Sequence, residues 1–279
     1  MLQGLFRWAA KGGGSEVKRC LVEADGVCER SVARSPFLAS LSDDDLHRLN
    51  SLLPWSCYVL DDRGRRFGKP WSAIKRTTPQ QIPDPRILEL NRRFPLDGLE
   101  VLEIGCHEGI HTAALCSLAS RVLAVDSRIE NVVKTIVRCA LLGHMPQVCV
   151  WDVEGETPSA YSPACDILHH VGVLYHLSDP IRHLHSVLPF VRKGLMLDTH
   201  VATEETATEE YAINGRVYRY RRYREGGRQD PFSGMRDHAK WLREADLVAT
   251  IRDAGFREVA VAEQRSERNG PRVLMFAAR

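Results

Sequence analysis

The chain has no run approaching the roughly 18 apolar residues of a membrane-spanning helix, so no membrane partner is expected. Nor does it have a C-x-x-C pair, the usual spacing of a redox or metal site. Its eight cysteines stand apart at 20, 28, 57, 106, 116, 139, 149 and 165. Several sit in apolar runs, as Cys149 does in QVCVW, where a reduced thiol behaves as a small hydrophobe. That usage fits a reducing, cytoplasmic setting. An excess of one charge is also missing. The formal net charge is +2, which supplies no global pull toward nucleic acid or a membrane surface. The chain shows no internal repeat, no low-complexity segment and no paired-carboxylate pattern. His183 and His185 are two apart on a predicted helix and point to different faces. With His169, His170 and His200 they are read as structural or exposed, and no metal is expected.

What is present is ordinary globular composition: 279 residues, 44% apolar and 27% charged, enough for one large domain with an extension or two small ones. Residues 1–53 read as an N-terminal arm and helical extension. Its start, MLQGLFRWAAKGGGSE, is too short in its apolar part for a secretory signal. Gly12 to Gly14 suggest a joint, and residues 15–53 look helical. In SDDDLHRLNSLL, Ser42 is a plausible N-cap before three aspartates. These helices could dimerise the chain or cover the sheet. Residues 54–85 carry five prolines, two glycines and two tryptophans. They read as a loop-rich connector packed on the core, with a short hairpin around Asp62 to Gly64.

From residue 86 strands and helices alternate. RILELNRRF is helical, LEVLEIG a strand, and the segment from Gly109 a helix. RVLAVD, QVCVWDV, CDILHHVGV and KGLMLDTHV follow as strands. IENVVKTIVRCALLG and DPIRHLHSVLPFV are the intervening helices. WLREADLVATIRDAGF is a further helix before the strands REVAVAEQ and PRVLMFAAR. Near-continuous apolar strands separated by helices predict an α/β fold: a doubly wound, mostly parallel, seven-stranded Rossmann-like sheet. The last two strands are close in sequence, so one is expected to be antiparallel.

VLEIGCHEGIHT raises the functional question. It places Glu103, Gly105 and Gly109 at the end of a buried strand, where ligands of open α/β sheets bind. A carboxylate beside a helix N-terminus would repel a pyrophosphate but suits an amino group. Asp126 ends the next strand, 21 residues after Gly105, a spacing suited to an acid on a ribose hydroxyl. Asp152 ends the third, where an acid can take an adenine amino group while Val153 lines the ring. An acid for an amine, one for a ribose and one for an adenine describe S-adenosylmethionine better than NAD.

The run from Val101 to Val201 resembles a class I S-adenosylmethionine-dependent methyltransferase. Glu103, Gly105 and Gly109 match its [DE]-x-G-x-x-x-G pattern, with His107 in place of the middle glycine. HHVGVLYHLSDPIRHLHSV is similar to the G-V-L-Y-H segment of the tRNA wobble-uridine carboxymethyltransferase-like group. The resemblance implies S-adenosyl-L-methionine as cofactor, held by Glu103, Gly105, His107, Gly109, Asp126, Ser127, Asp152, Val153 and Val171. Tyr175 and His176 would face the reacting methyl group as catalytic residues. Transfer of a carboxymethyl group would need carboxy-S-adenosyl-L-methionine, whose extra carboxylate would meet Tyr175, Arg272 and Lys69.

A lid insertion is expected over about 200–238. It holds YAINGRVYRYRRYREGGR, with six arginines and four tyrosines. Alternation in VYRYRRY would put rings and guanidiniums on different faces of a hairpin. Arg219, Tyr220 and Arg222 are the candidate substrate contacts there, with Lys69 and Arg272. The expected function is methyl transfer to a small-molecule acceptor, acidic or bearing a hydroxyl or amine. Modification of tRNA is the alternative, disfavoured by the small net charge. A non-catalytic methyltransferase fold that only binds a partner is the third reading.

Overall fold

The computed structural model describes residues 37–73, 76–157 and 162–279. The expectations for the arm, the glycine joint and the helix before residue 37 lie outside them. Helix α1 (Asp43–Leu52) begins where Ser42 accepts a hydrogen bond from the Asp45 N–H, with three acids in its first turn. Strands β1 (Tyr58–Leu60) and β2 (Arg66–Gly68) pair as a hairpin. Its Phe67 is buried against Trp55 with Val59 and Leu46, under α1. Trp71, in contrast, is 41% exposed.

Helix α2 (Pro85–Arg93) has Pro85 in its first turn and an Asp84 cap bonded to the Arg86 N–H at 2.8 Å. Next come β3 (Glu100–Ile104), α3 (Ile110–Cys116), β4 (Arg121–Asp126), α4 (Ile129–Leu141) and β5 (Gln147–Val150). Then β6 (Cys165–Val171), α5 (Pro180–Val187), β7 (Val191–His200), β8 (Glu209–Ile213), β9 (Arg216–Arg224), β10 (His238–Leu242), α6 (Glu244–Asp253), β11 (Glu258–Glu267) and β12 (Gly270–Ala278) complete the chain.

The main sheet has seven strands in the order β11-β12-β7-β6-β3-β4-β5. Neighbours from β7 to β5 are parallel, and β12 alone runs antiparallel, to both β7 and β11. The chain leaves β3 first for β4 and returns on the other side as β6, so the order reverses beside β3. One sheet face carries the core built with α5 and α6, including Leu184, Leu247 and Ile251; the other packs Ile87 and Leu90 of α2 and Leu115 of α3.

Two element boundaries differ from the sequence expectation. Trp241 and Leu242 belong to β10, not to α6. They pair with Arg221 and Tyr220 and are 1% and 2% exposed, so lateral pairing and burial outweigh helical periodicity. The QVCVWDV strand stops at Val150: the Trp151 N–H makes the last ladder bond, to the carbonyl of Asp126 at the end of β4, and the chain then enters a turn closed by the Gly155 N–H on the Asp152 carbonyl. Strands β8, β9 and β10 form a separate antiparallel sheet of three.

Candidate active site

A cavity of about 840 Å³ opens beyond the carboxyl ends of β3, β4 and β6, at the reversal of strand order. Glu103, the last inward carboxylate of β3, is 1% exposed and accepts a 2.6 Å hydrogen bond from Thr112 Oγ1. Burial pushes its pKa up to about 7; the Thr112 bond opposes that and the charge of Asp126 adds to it. The chain then turns through Gly105 at φ +82°. A Cβ there would stand 2.1 Å from Val173 Cγ2, so only glycine keeps this wall thin. Gly109 caps α3 at φ +79°, with a virtual Cβ 3.0 Å from Thr135 Cα.

His107 takes the middle position at φ +50°, a left-handed conformation that a glycine would adopt without strain. Its N–H donates to Asp126 Oδ2 at 3.0 Å. Its partly buried ring lies 3.3 Å from Ser56 Oγ, and desolvation lowers its pKa to about 4, so it is neutral at physiological pH. Asp126 also accepts from the Arg128 N–H (2.9 Å) and from Asn131 Nδ2 (3.1 Å). Burial raises its pKa despite these bonds. At the third strand tip, Asp152 is half-buried and paired with Arg236 at 3.0 Å. Ser127, Val153 and Val171 line the same space.

The other end of the cavity is built by the turn after β6 and by β12. Tyr175 lies under the Arg272 guanidinium, 5.2 Å from its ring, and edge-on to His200 at 4.7 Å. Trp241 stacks on His200 and donates from Nε1 to the Tyr175 carbonyl. His176 lines the cavity, and its Nδ1 is 2.9 Å from Glu225 Oε1. Asp198, fully buried on β7, joins Arg86, Arg265 and Arg272. Burial alone would raise its pKa, but Arg272 and Arg86 outweigh burial and hold it below the usual carboxylate range.

Five of the sequence candidates do not line the cavity: Gly109, packed against Thr135 at the start of α3, and four others. Lys69 is exposed, 3.5 Å from Ser51 Oγ on α1. Arg219 pairs with Glu204 and donates to the Ala207 carbonyl. Tyr220 is buried in the core with its hydroxyl on Glu209, and Arg222 faces out on β9 opposite Lys240. The rings of β9 that turn inward at Tyr218 and Tyr220 are used for packing, which leaves the guanidiniums on the outside. What reaches the cavity from the insertion is the loop after β9, through Pro231, Phe232, Ser233, Gly234 and Met235. Arg128 Nη2 holds this loop by donating to the carbonyls of Gly227, Asp230 and Ser233. Phe232 stands edge-on to Trp71 at 4.8 Å and 5.8 Å from the His107 ring.

Sequence spacing also missed a cluster. Glu103, His111 and His169 each place one donor atom within 4.8 Å of the others. Each comes from a different element, so no linear pattern marks them. His111 is already engaged, 3.2 Å from His169 and 3.3 Å from both Asp84 and Arg86. Asp198 could have been found: an acid inside GLMLDTH poses the same question as Glu103.

No family model matches the chain. Over 187 residues it is 32% identical to a tRNA U34 carboxymethyltransferase of Methylococcus capsulatus, covering 66% of this chain and 52% of that protein. Over 161 residues it is 26% identical to a ubiquinone biosynthesis O-methyltransferase of Leptothrix cholodnii, covering 57% of this chain and 65% of that one. The matches thus span between half and two thirds of these relatives' lengths. The N-terminal domain of EvdMO1, solved in the presence of SAH and D-fucose, superimposes with a TM-score of 0.69. That likeness covers 86% of this chain and 98% of the other at 24% identity. The chain is related in sequence and fold to class I S-adenosylmethionine-dependent methyltransferases. In that methyltransferase fold, Glu103, Asp126 and Asp152 stand at three adjoining strand ends, and all three line one cavity.

Proposed function

We propose that the protein transfers the methyl group of S-adenosyl-L-methionine to a small-molecule acceptor. The observation that carries this reading is the convergence of Glu103, Asp126 and Asp152 on a single cavity whose wall is thinned at Gly105. The fit is chemical. Among the described residues no cationic partner lies at hydrogen-bond distance from the buried Glu103 carboxylate, so a ligand ammonium would satisfy it. Asp126 would accept from ribose hydroxyls. Asp152, with Val153, would hold the adenine edge, and Ser127 and Val171 would line the nucleoside. S-adenosylmethionine supplies an electrophilic methyl on a sulfonium. The chain's part is alignment and exclusion of water, by the Tyr175–His176 turn on one side and the Phe232 loop on the other.

A small acceptor is favoured over tRNA because Arg216, Arg219 and Arg221 of β9 are taken up by Asp253, Glu204 and the Trp241 ring, which leaves Arg222 and Arg224 as the exposed basic residues of that strand. The test uses methyl-labelled S-adenosylmethionine and a cell extract split into ultrafiltrate and tRNA. Label in the ultrafiltrate is expected; label confined to tRNA would contradict the reading.

A second reading, carboxymethyl transfer, is favoured by one observation: Arg272 and Tyr175 lie together at the cavity. Arg272 is already bonded to Asp198 and Glu267, however, and Lys69 is elsewhere. Mass spectrometry of the nucleoside carried through purification separates the two, with the uncarboxylated form expected.

A further inference from the structure

We propose that Glu225 and His176 form a base dyad that directs methyl transfer to a hydroxyl of an uncharged, polyhydroxylated acceptor. This rests on the methyl-transfer reading above and names its acceptor class.

The dyad is assembled by the lid. Glu225 leaves β9 with its N–H on the Asp237 carbonyl and is 5% exposed. One carboxylate oxygen accepts from Ser233 Oγ and from the Gly234 N–H at 2.8 Å; the other faces His176 Nδ1 at 2.9 Å. A carboxylate with two donors on one oxygen is held as an acceptor, so Nδ1 carries the imidazole hydrogen. Nε2 is then the basic nitrogen. The ring lines the cavity, and none of the described residues bonds Nε2. Gly234 permits this closure, because a Cβ there would lie 2.2 Å from the His176 carbonyl oxygen.

A base of this kind discriminates among acceptors. A carboxylate is already anionic, so it needs no deprotonation before attack. A hydroxyl does. In the step, the hydroxyl proton passes to His176 Nε2 as the oxygen lone pair forms the new O–C bond. The C–S bond breaks, and its electron pair stays on sulfur, which ends as a neutral thioether.

The surrounding charges favour an uncharged acceptor. Three guanidiniums border this end: Arg86, Arg265 and Arg272. All are already paired, with Asp84, Asp198, Glu263 and Glu267. Three cations against four carboxylates do not make a trap for an acidic acceptor. They do offer many donors and acceptors to a ring of hydroxyls.

The primary test is imidazole nitrogen NMR of the S-adenosylhomocysteine-loaded protein. An Nδ1–H tautomer with a bare Nε2 on His176 is expected, and its loss in Glu225→Gln; a hydrogen on Nε2 at neutral pH would overturn the proposal. Label transfer to methyl α-D-glucopyranoside and to benzoate tests acceptor class. Label in the glycoside as an ether, reduced about 10²–10⁴-fold by His176→Gln, supports the dyad. Label in benzoate overturns it. Glu225 acts as a positioning residue, so Glu225→Gln should lower kcat while leaving KM for S-adenosylmethionine unchanged. Calorimetry of S-adenosylhomocysteine with His176→Gln should match the parent protein. Failure of the parent protein itself to bind would strike the methyl-transfer reading, whereas binding with the wrong tautomer strikes only the dyad.

Discussion

Glu103 is an acid whose pKa stands at about 7 in the free site because burial disfavours its charge. An ammonium ligand requires that charge. Below about pH 7 the free carboxyl holds a proton that binding must expel, so affinity should fall as pH drops, approaching about tenfold per unit. Above that pH the dependence should flatten. Calorimetry with S-adenosylhomocysteine across this range, compared with Glu103→Gln, checks both limbs: the variant should bind weakly and lose the acidic slope. Gly105 gives a second expectation. Gly105→Ala sets a methyl 2.1 Å from Val173 at a positive φ, and should cost roughly 1–3 kcal/mol of stability in urea denaturation as well as cofactor affinity. These residues were legible because glycine and a carboxylate are out of place at the tip of a buried strand. Lys69, Arg219, Tyr220 and Arg222 were misplaced for the complementary reason: exposed-looking basic and aromatic residues carry no sign of which face they will occupy.

Among elements, the loop following β9 is the one whose role composition concealed. Its cavity residues, from Pro231 to Met235, are neither basic nor rich in aromatics, and the eye goes to the arginines before them. Its anchor is the N-cap residue of α4, about a hundred residues earlier in the chain, where Arg128 serves three of its carbonyls. Arg128→Ala should leave the main sheet intact, speed hydrogen exchange over residues 225–235, and weaken S-adenosylhomocysteine binding by about tenfold. Unchanged exchange would show that the loop is held by other contacts. The strands and helices of the sheet were readable because each repeats a period over several residues. The start of α6 was not, since β10 borrows Trp241 and Leu242 through pairing with a strand that local periodicity does not register.

At the scale of the molecule, the connector and the sheet are joined through one buried ionic network. Glu108, directly after His107, accepts from the Ser56 and Cys57 N–H groups and pairs with Lys134 and Arg138. Arg138 is 0% exposed, bonds the Glu108, Phe67 and Cys57 carbonyls, and lies over the rings of Trp55 and Phe67. Removing one partner strands buried cations, so Glu108→Ala should cost about 3–5 kcal/mol in urea denaturation. No helix among the described residues is long and apolar enough to cross a membrane.

The convergence of three acidic strand tips on a cationic nucleoside is tested most directly by calorimetry of the purified chain with S-adenosylhomocysteine and with NAD. Saturable heat with the first and none with the second is the expected result. Binding of NAD without S-adenosylhomocysteine would contradict it.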